Sequence, residues 1–218
     1  MSNTAAKYTH KEELWNFISH ALGIALGIGV GLWFIISYFG QLDNIGRFSI
    51  ILFILGMLSS YIASTTYHAI RPTSKHKARL RKCDHAAIYL FIAGSYSPIT
   101  LIAMRDTGAW GWTIFGIIWL CAIIGVSMSF RKMKVISHIE TICYVIMGLL
   151  IVIAFKPLLD SVPLQIVLWI IGEGICYITG AIFYSVYKRP YMHTVFHFFV
   201  LAGSICHIIA TWAMLELV

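Results

Sequence analysis

Charge is what this sequence has least of. Asp, Glu, Lys and Arg make up 11% of its 218 residues, against about a quarter in a soluble domain that must wet its surface. Acids are scarcer than bases, 9 against 16, and there are only 5 prolines and 5 cysteines. So little charge excludes a disordered chain and an ordinary cytosolic enzyme. Cys83, Cys121, Cys143, Cys176 and Cys206 are scattered singly with no CxxC pair. They read as small buried apolar residues, neither disulfides nor a thiolate metal site. What remains is apolar: 59% of the residues are hydrophobic and the mean hydropathy is +0.82. An integral membrane protein is the class left standing.

Seven stretches are long enough to cross a bilayer, each near or above the roughly 20 apolar residues that a spanning helix needs. They are Phe17–Phe39, Phe48–Ile70, Ala86–Met104, Ala109–Phe130, Val135–Phe155, Leu164–Tyr187 and Tyr191–Leu215. Period-2 alternation is absent, which speaks against a transmembrane barrel. The short connections leave no room for a soluble domain, so residues 1–218 are expected to form one all-α seven-helix membrane bundle.

The net charge of +7 reports topology, and no nucleic-acid partner is expected. Lys7 and Lys11 precede the first span. Arg71, Lys75, Lys77, Arg79, Arg81 and Lys82 fill the second loop, Arg131, Lys132 and Lys134 the fourth, and Lys188 and Arg189 the sixth. Only Arg47, Arg105 and Lys156 lie on the other side. The positive-inside rule then puts the N-terminus in the cytoplasm and the C-terminus outside. The first span is too long for a signal-peptide core, and Glu12 and Glu13 interrupt its cationic flank, so no cleavage is expected. Gly23, Gly27 and Gly31 form a small-xxx-small ridge suited to close helix packing.

Ionisable groups at membrane depth are costly and point to function by default. Ser64 and His68 end the second span, Asp84 opens the third, and His193 and His197 open the seventh. At about 1.5 Å per residue all five fall within roughly 12 Å of the cytoplasmic boundary. His193 and His197, spaced i and i+4, share one helix face. Three imidazoles and a water make a catalytic-type zinc site, and Asp84 would hold and deprotonate that water. Blander readings stand beside this one. The histidines can simply hydrogen-bond between helices, His68 can snorkel beside Arg71, and Asp84 can cap its helix through the Ala87 amide. Glu13, Asn16 and His20 share a face of the first helix at a similar level. His138 and Glu140 open the fifth span. His85 points about 100° away from Asp84 on a helix, and His76 sits in a basic loop. Composition alone does not choose three ligands from 9 histidines.

These motifs resemble a known family. Glu13-xx-Asn16-xxx-His20, Ser64-xxx-His68, the run Asp84-His85-Ala86-Ala87-Ile88-Tyr89 leading to Ala93-Gly94-Ser95-Tyr96-Ser97-Pro98, and His193-xxx-His197 followed by His207 are similar to the bacterial haemolysin III family. That family is the prokaryotic branch of the progestin and adiponectin receptors, with alkaline ceramidases as more distant kin. Ser97-Pro98 stands where Thr-Pro is common, which keeps the hydroxyl. The resemblance implies a zinc ion on His68, His193 and His197, with Asp84 against the zinc-bound water and Ser64 beside it. It also implies supporting or structural roles for His20, His138 and His207.

The kinship with ceramidases implies zinc-dependent hydrolysis of a lipid amide or ester, with Asp84 as general base and Ser64 at the oxyanion. Membrane lipids are the expected partners. The rival readings are a membrane sensor or regulator in which zinc only clamps helices, and the cytolytic activity behind the family's name. No amphipathic, secretable segment supports the last. One expectation comes from depth alone. Glu173 and His207 lie roughly 22 and 27 Å from the cytoplasmic side on neighbouring antiparallel spans. An unpaired carboxylate there costs several kcal/mol, on the order of any buried unpaired charge. Either the two share a hydrogen bond, directly or through water, or Glu173 is simply protonated in a wet outer vestibule.

Overall fold

The computed structural model describes residues 8–131, 138–186 and 189–218. Seven helices among them are long and apolar enough to cross a bilayer. In chain order the elements are α1 (His10–Tyr38), α2 (Asn44–Ala69), α3 (Lys77–Pro98), α4 (Trp110–Phe130), α5 (His138–Gly148), α6 (Phe155–Ser161), α7 (Leu164–Ser185) and α8 (Met192–Leu215). A π-helical turn, Ile99–Ala103, continues α3, and a 3₁₀ turn, Leu149–Ala154, joins α5 to α6 within the fifth span. The helices are those of a multi-pass membrane protein, and the outer surface is apolar accordingly: Ile36, Leu120, Val152, Ile175 and Ile182 all face outward.

Helix ends moved where local chemistry outweighs hydropathy. Hydropathy starts the first span at Phe17, but α1 begins at His10, about two turns earlier. There Thr9 accepts from the Glu12 amide while the Glu12 carboxylate accepts from the Thr9 amide, a reciprocal capping box. Glu13, Asn16 and His20 therefore lie on regular helix. The third span likewise begins at Lys77, two turns before Asp84. Asp84 is consequently inside α3 and caps nothing, which corrects the N-cap reading. The start of the fifth span lies outside the described residues, and its outer part is broken into 3₁₀ and α pieces instead of one straight helix.

Small residues set how closely the helices approach. Gly23 lies under the Tyr61 ring, Gly27 under Leu58 and Gly31 under Ile54, so the glycine ridge of α1 does seat α2. Gly56 on α2 faces Gly94 on α3: a Cβ on Gly56 would stand 2.7 Å from the Leu90 carbonyl oxygen, and one on Gly94 2.7 Å from that of Leu52. This crossing makes α3 the central helix, with Ala86, Ala87, Tyr89, Phe91 and Ala93 all buried. Its fixed position brings Asp84 alongside the end of α2.

Candidate metal centre

Three imidazoles converge where α2, α8 and the start of α1 meet. His193 Nε2 lies 3.3 Å from His68 Nε2 and 3.0 Å from His197 Nε2, and all three side chains are buried. The His193–His197 contact follows from their i, i+4 spacing on α8. The His68 contact is tertiary. For a tetrahedral ion with metal–nitrogen bonds of about 2.0–2.1 Å, ligand nitrogens sit about 3.3 Å apart. The observed separations fit, and the cluster could hold a metal ion.

The ring protons settle which nitrogens face inward. His68 Nδ1–H donates to Glu13 Oε2 at 2.5 Å, and His197 Nδ1 lies 3.3 Å from the Asn16 carbonyl oxygen and 3.1 Å from the Ser19 hydroxyl. With its proton on Nδ1, each of these two rings presents a lone pair on Nε2. A cation among the Nε2 atoms would accept those lone pairs. Such an outward hydrogen bond on a ligand's second nitrogen is the usual support of a histidine metal site, and among the described residues His193 Nδ1 has no such partner.

The α1 residues singled out from sequence thus gather around the cluster. Glu13 orients His68 and also receives Lys77 Nζ at 3.0 Å. Asn16 supplies its backbone carbonyl to His197 and its side-chain oxygen to the Thr194 hydroxyl at 2.6 Å. His20 is fully enclosed, its ring 3.7 Å from that of His197, with neither nitrogen hydrogen-bonded. Asp84 and Ser64 are buried beside the imidazoles, with the Ser64 hydroxyl as a hydrogen-bonding neighbour of the Asp84 carboxylate. Glu173 and His207 meet directly: His207 Nδ1–H donates to Glu173 Oε2 at 2.8 Å in the opposite half of the bundle. The side chain of His138 lies outside the described residues.

Four residues escaped the sequence reading. Lys77 is no loop cation: its buried ammonium donates to the Tyr67 and Ile70 carbonyls at 2.7 and 3.2 Å as well as to Glu13. Glu12 accepts at 2.8 Å from the backbone amide of Tyr191, whose φ of 62° places it in the left-handed region just before His193. A non-glycine residue there costs about 1–2 kcal/mol, which the Glu12 bond offsets. Tyr8 lays its ring over His193 and His68, at 5.0 and 5.9 Å between centroids. Burial pushes its hydroxyl well above the ordinary tyrosine range. Finally, His85 pairs with Glu140 at 2.5 Å. Lys77, Glu12 and Tyr8 carry no motif signal for these contacts, and His85, though part of the Asp84-His85 run, gives no sign of its tie to Glu140, because each contact joins distant segments.

A cavity of about 370 Å³ opens beside the cluster, between α3, α5, α7 and α8. Ser64, Asp84, His193 and His197 line one end and Glu173 the other, with apolar residues such as Phe91, Ile92 and Val145 between them. Val152 and Ile175 also line it and are each 61% exposed, so the cavity is open at the lipid-facing flank of the bundle.

Residues 8–208 match the family described as Haemolysin-III related. The chain is similar to Hemolysin-3 of Bacillus cereus, 37% identical over 200 residues, which covers 89% of this chain and 87% of that protein. It is also 37% identical to a Hemolysin-3 homolog of Bacillus subtilis (strain 168), over 90% of this chain and 91% of the other. The human monocyte to macrophage differentiation factor is 26% identical over 74% of this chain and 68% of its own length.

Proposed function

The chain belongs to the Haemolysin-III related family, and on that premise we propose that it is a zinc-dependent hydrolase of a membrane lipid amide or ester. The observation that carries this reading is the placement of three convergent imidazoles, Asp84 and Ser64 at one end of an apolar, laterally open cavity. A volume of about 370 Å³ falls within the roughly 300–1,000 Å³ typical of ligand pockets. His68, His193 and His197 would hold the ion. When bound there, zinc supplies Lewis-acid polarisation and acidifies water towards a pKa of about 7.

The chain's own groups divide the remaining work. The cavity admits an acyl chain from the bilayer and lays it along the apolar walls of α3 and α7. Asp84 accepts the proton of the attacking water. The Ser64 hydroxyl, released from the carboxylate, donates to the oxygen that gains charge on the substrate carbonyl. Glu13 and the Asn16 carbonyl keep the Nδ1 protons of His68 and His197 turned away from the centre. The surrounding apolar residues exclude bulk water and so strengthen each of these interactions.

The loop charges support an N-terminus in the cytoplasm, and with it the metal end of the cavity. Alkaline phosphatase fused after Val218 should then be active, and an inactive fusion would refute the orientation. The test of function is lipidomics on membranes that contain the wild type or Asp84→Ala, with metal content measured on both purified proteins. About one zinc per chain in each, and one amide or ester lipid class depleted only by the wild type, is the expected result. Identical lipid profiles with zinc retained would favour a sensor in which the ion clamps α2 to α8.

A further inference from the structure

Two carboxylate–imidazole pairs of the same geometry flank the cavity end that carries Asp84. In one, His68 Nδ1 lies 2.5 Å from Glu13 Oε2 and its Nε2 joins the imidazole cluster. In the other, His85 Nδ1 lies 2.5 Å from Glu140 Oε2, yet His85 is not among the three clustered rings. Its support comes from two helices, α4 and α5. Glu140 Oε1 lies 3.1 Å from the Ser129 hydroxyl of α4, and the Tyr144 hydroxyl of α5 donates to the His85 backbone carbonyl at 2.9 Å. His85 and Glu140 are mostly buried, with side chains 17% and 12% exposed. Both line the cavity together with Asp84, Ser64 and His193. Asp84 and His85 leave α3 in directions about 100° apart, and the cavity is wide enough to receive both.

An imidazole whose Nδ1–H is committed to a carboxylate has one free nitrogen for proton transfer. We propose that His85, oriented by Glu140, is the catalytic residue that protonates the leaving group in the hydrolysis described above, on which this inference rests. Water adds its oxygen to the carbonyl carbon while Asp84 takes one water proton, and the carbonyl π pair moves to oxygen. As that pair returns, the carbon–nitrogen bond breaks and its electrons stay on nitrogen, which receives the proton of His85 Nε2. The products are a carboxylic acid and a free amine. The proton on Asp84 then passes through cavity water to His85, so amide and water are consumed and nothing else is. Glu140 is a positioning residue: its hydrogen bond holds the Nδ1 proton and aims Nε2 at the cavity.

Leaving-group dependence separates this role from a structural one. An amide nitrogen must be protonated to depart, whereas p-nitrophenolate departs without a proton. Full-length zinc-loaded protein in nanodiscs is assayed on N-decanoylethanolamine and on p-nitrophenyl decanoate. In His85→Gln, amide hydrolysis should fall about 10²-fold or more, the scale of general-acid catalysis, while ester hydrolysis stays within a few-fold and zinc content is unchanged. Glu140→Gln should shift the same balance in the same direction. The ¹⁵N shifts of the His85 ring provide a readout independent of turnover: they should show a proton fixed on Nδ1 in the wild type and a redistributed one in Glu140→Gln. Equal losses on both substrates, equal retention of both, or ring shifts indifferent to Glu140 would overturn the assignment. A wild type that hydrolyses neither substrate would overturn the hydrolase reading itself, and the role of His85 with it.

Discussion

At the scale of single residues, the chemistry depends on which nitrogen of each ring carries the proton. Glu13 has two duties, accepting from His68 Nδ1–H and pairing with the buried Lys77 ammonium. Glu13→Gln keeps the shape but loses the charge, and such changes to the hydrogen-bond partner of a ligand typically cost about 10–100-fold in metal affinity. Competition against a fluorescent chelator should show a loss of this size, and unaltered affinity would deny Glu13 that role. A second residue-scale effect lies at the other end of the bundle. The Asp43 carboxyl is held below the usual range, chiefly by the Gly46 amide it caps and then by Arg105 at 2.6 Å. A depressed carboxylate contributes stability above its unfolded pKa of about 3.9, and that contribution is lost as pH falls through the lower folded value. Thermal melting from pH 6 down to pH 3 should therefore fall less steeply in Asp43→Asn than in the wild type.

At the scale of helices, close approach governs whether the site assembles. α2 and α3 touch through Gly56 and Gly94, where either added Cβ would meet backbone oxygen at 2.7 Å. Backbone does not yield as a flexible side chain does, so Gly94→Leu must push the helices apart. Overpacking of this kind costs typically about 1–3 kcal/mol. It also moves His68 and Ser64 relative to Asp84, so the variant should lose the proposed activity while keeping all three imidazoles. An unchanged melting temperature and unchanged turnover would show that the crossing is not tight. Two other contacts join elements that sequence separates widely. Glu12 ties α1 to the residue before α8, and Glu173 ties α7 to α8 in the opposite half of the bundle. The second was legible because two polar residues at matching depth on adjacent antiparallel helices have few other partners. The first was not, because the left-handed turn at Tyr191 has no signature in an apolar stretch.

At the scale of the whole molecule, the imidazole cluster joins the second membrane span to the last. A ligand that binds only the folded state adds stability by mass action, about 4.1 kcal/mol at a thousand times its dissociation constant. Removing the ion with a chelator should therefore lower the melting temperature of the wild type and leave that of His193→Ala/His197→Ala unmoved. Equal shifts in both would place the effect outside this cluster. The cavity also belongs to this scale. The fifth span, broken at Leu149–Ala154, lines it with Leu149, Ile151 and Val152 opposite Ile175 and Ile178 of α7.

The sequence by itself determined what is local and additive. Seven apolar runs suffice to identify seven spans, because each residue's transfer into lipid adds to its neighbours'. The i, i+4 spacing of His193 and His197 suffices to put them on one face, because the helix period does not depend on context. Depth along those spans then brings His68, Asp84 and Ser64 to the same level. What the sequence could not set is the rotation of each helix about its axis, which depends on packing summed over all its neighbours. Lys77 was read as a loop cation and Glu12 as a flank of the first span because their partners lie on distant segments. His85 was set aside because it leaves α3 at an angle to Asp84, yet both line one cavity. Only the tertiary structure decided that Glu13 would turn to His68 and Glu140 to His85, since a buried carboxylate takes whichever donor the packing presents.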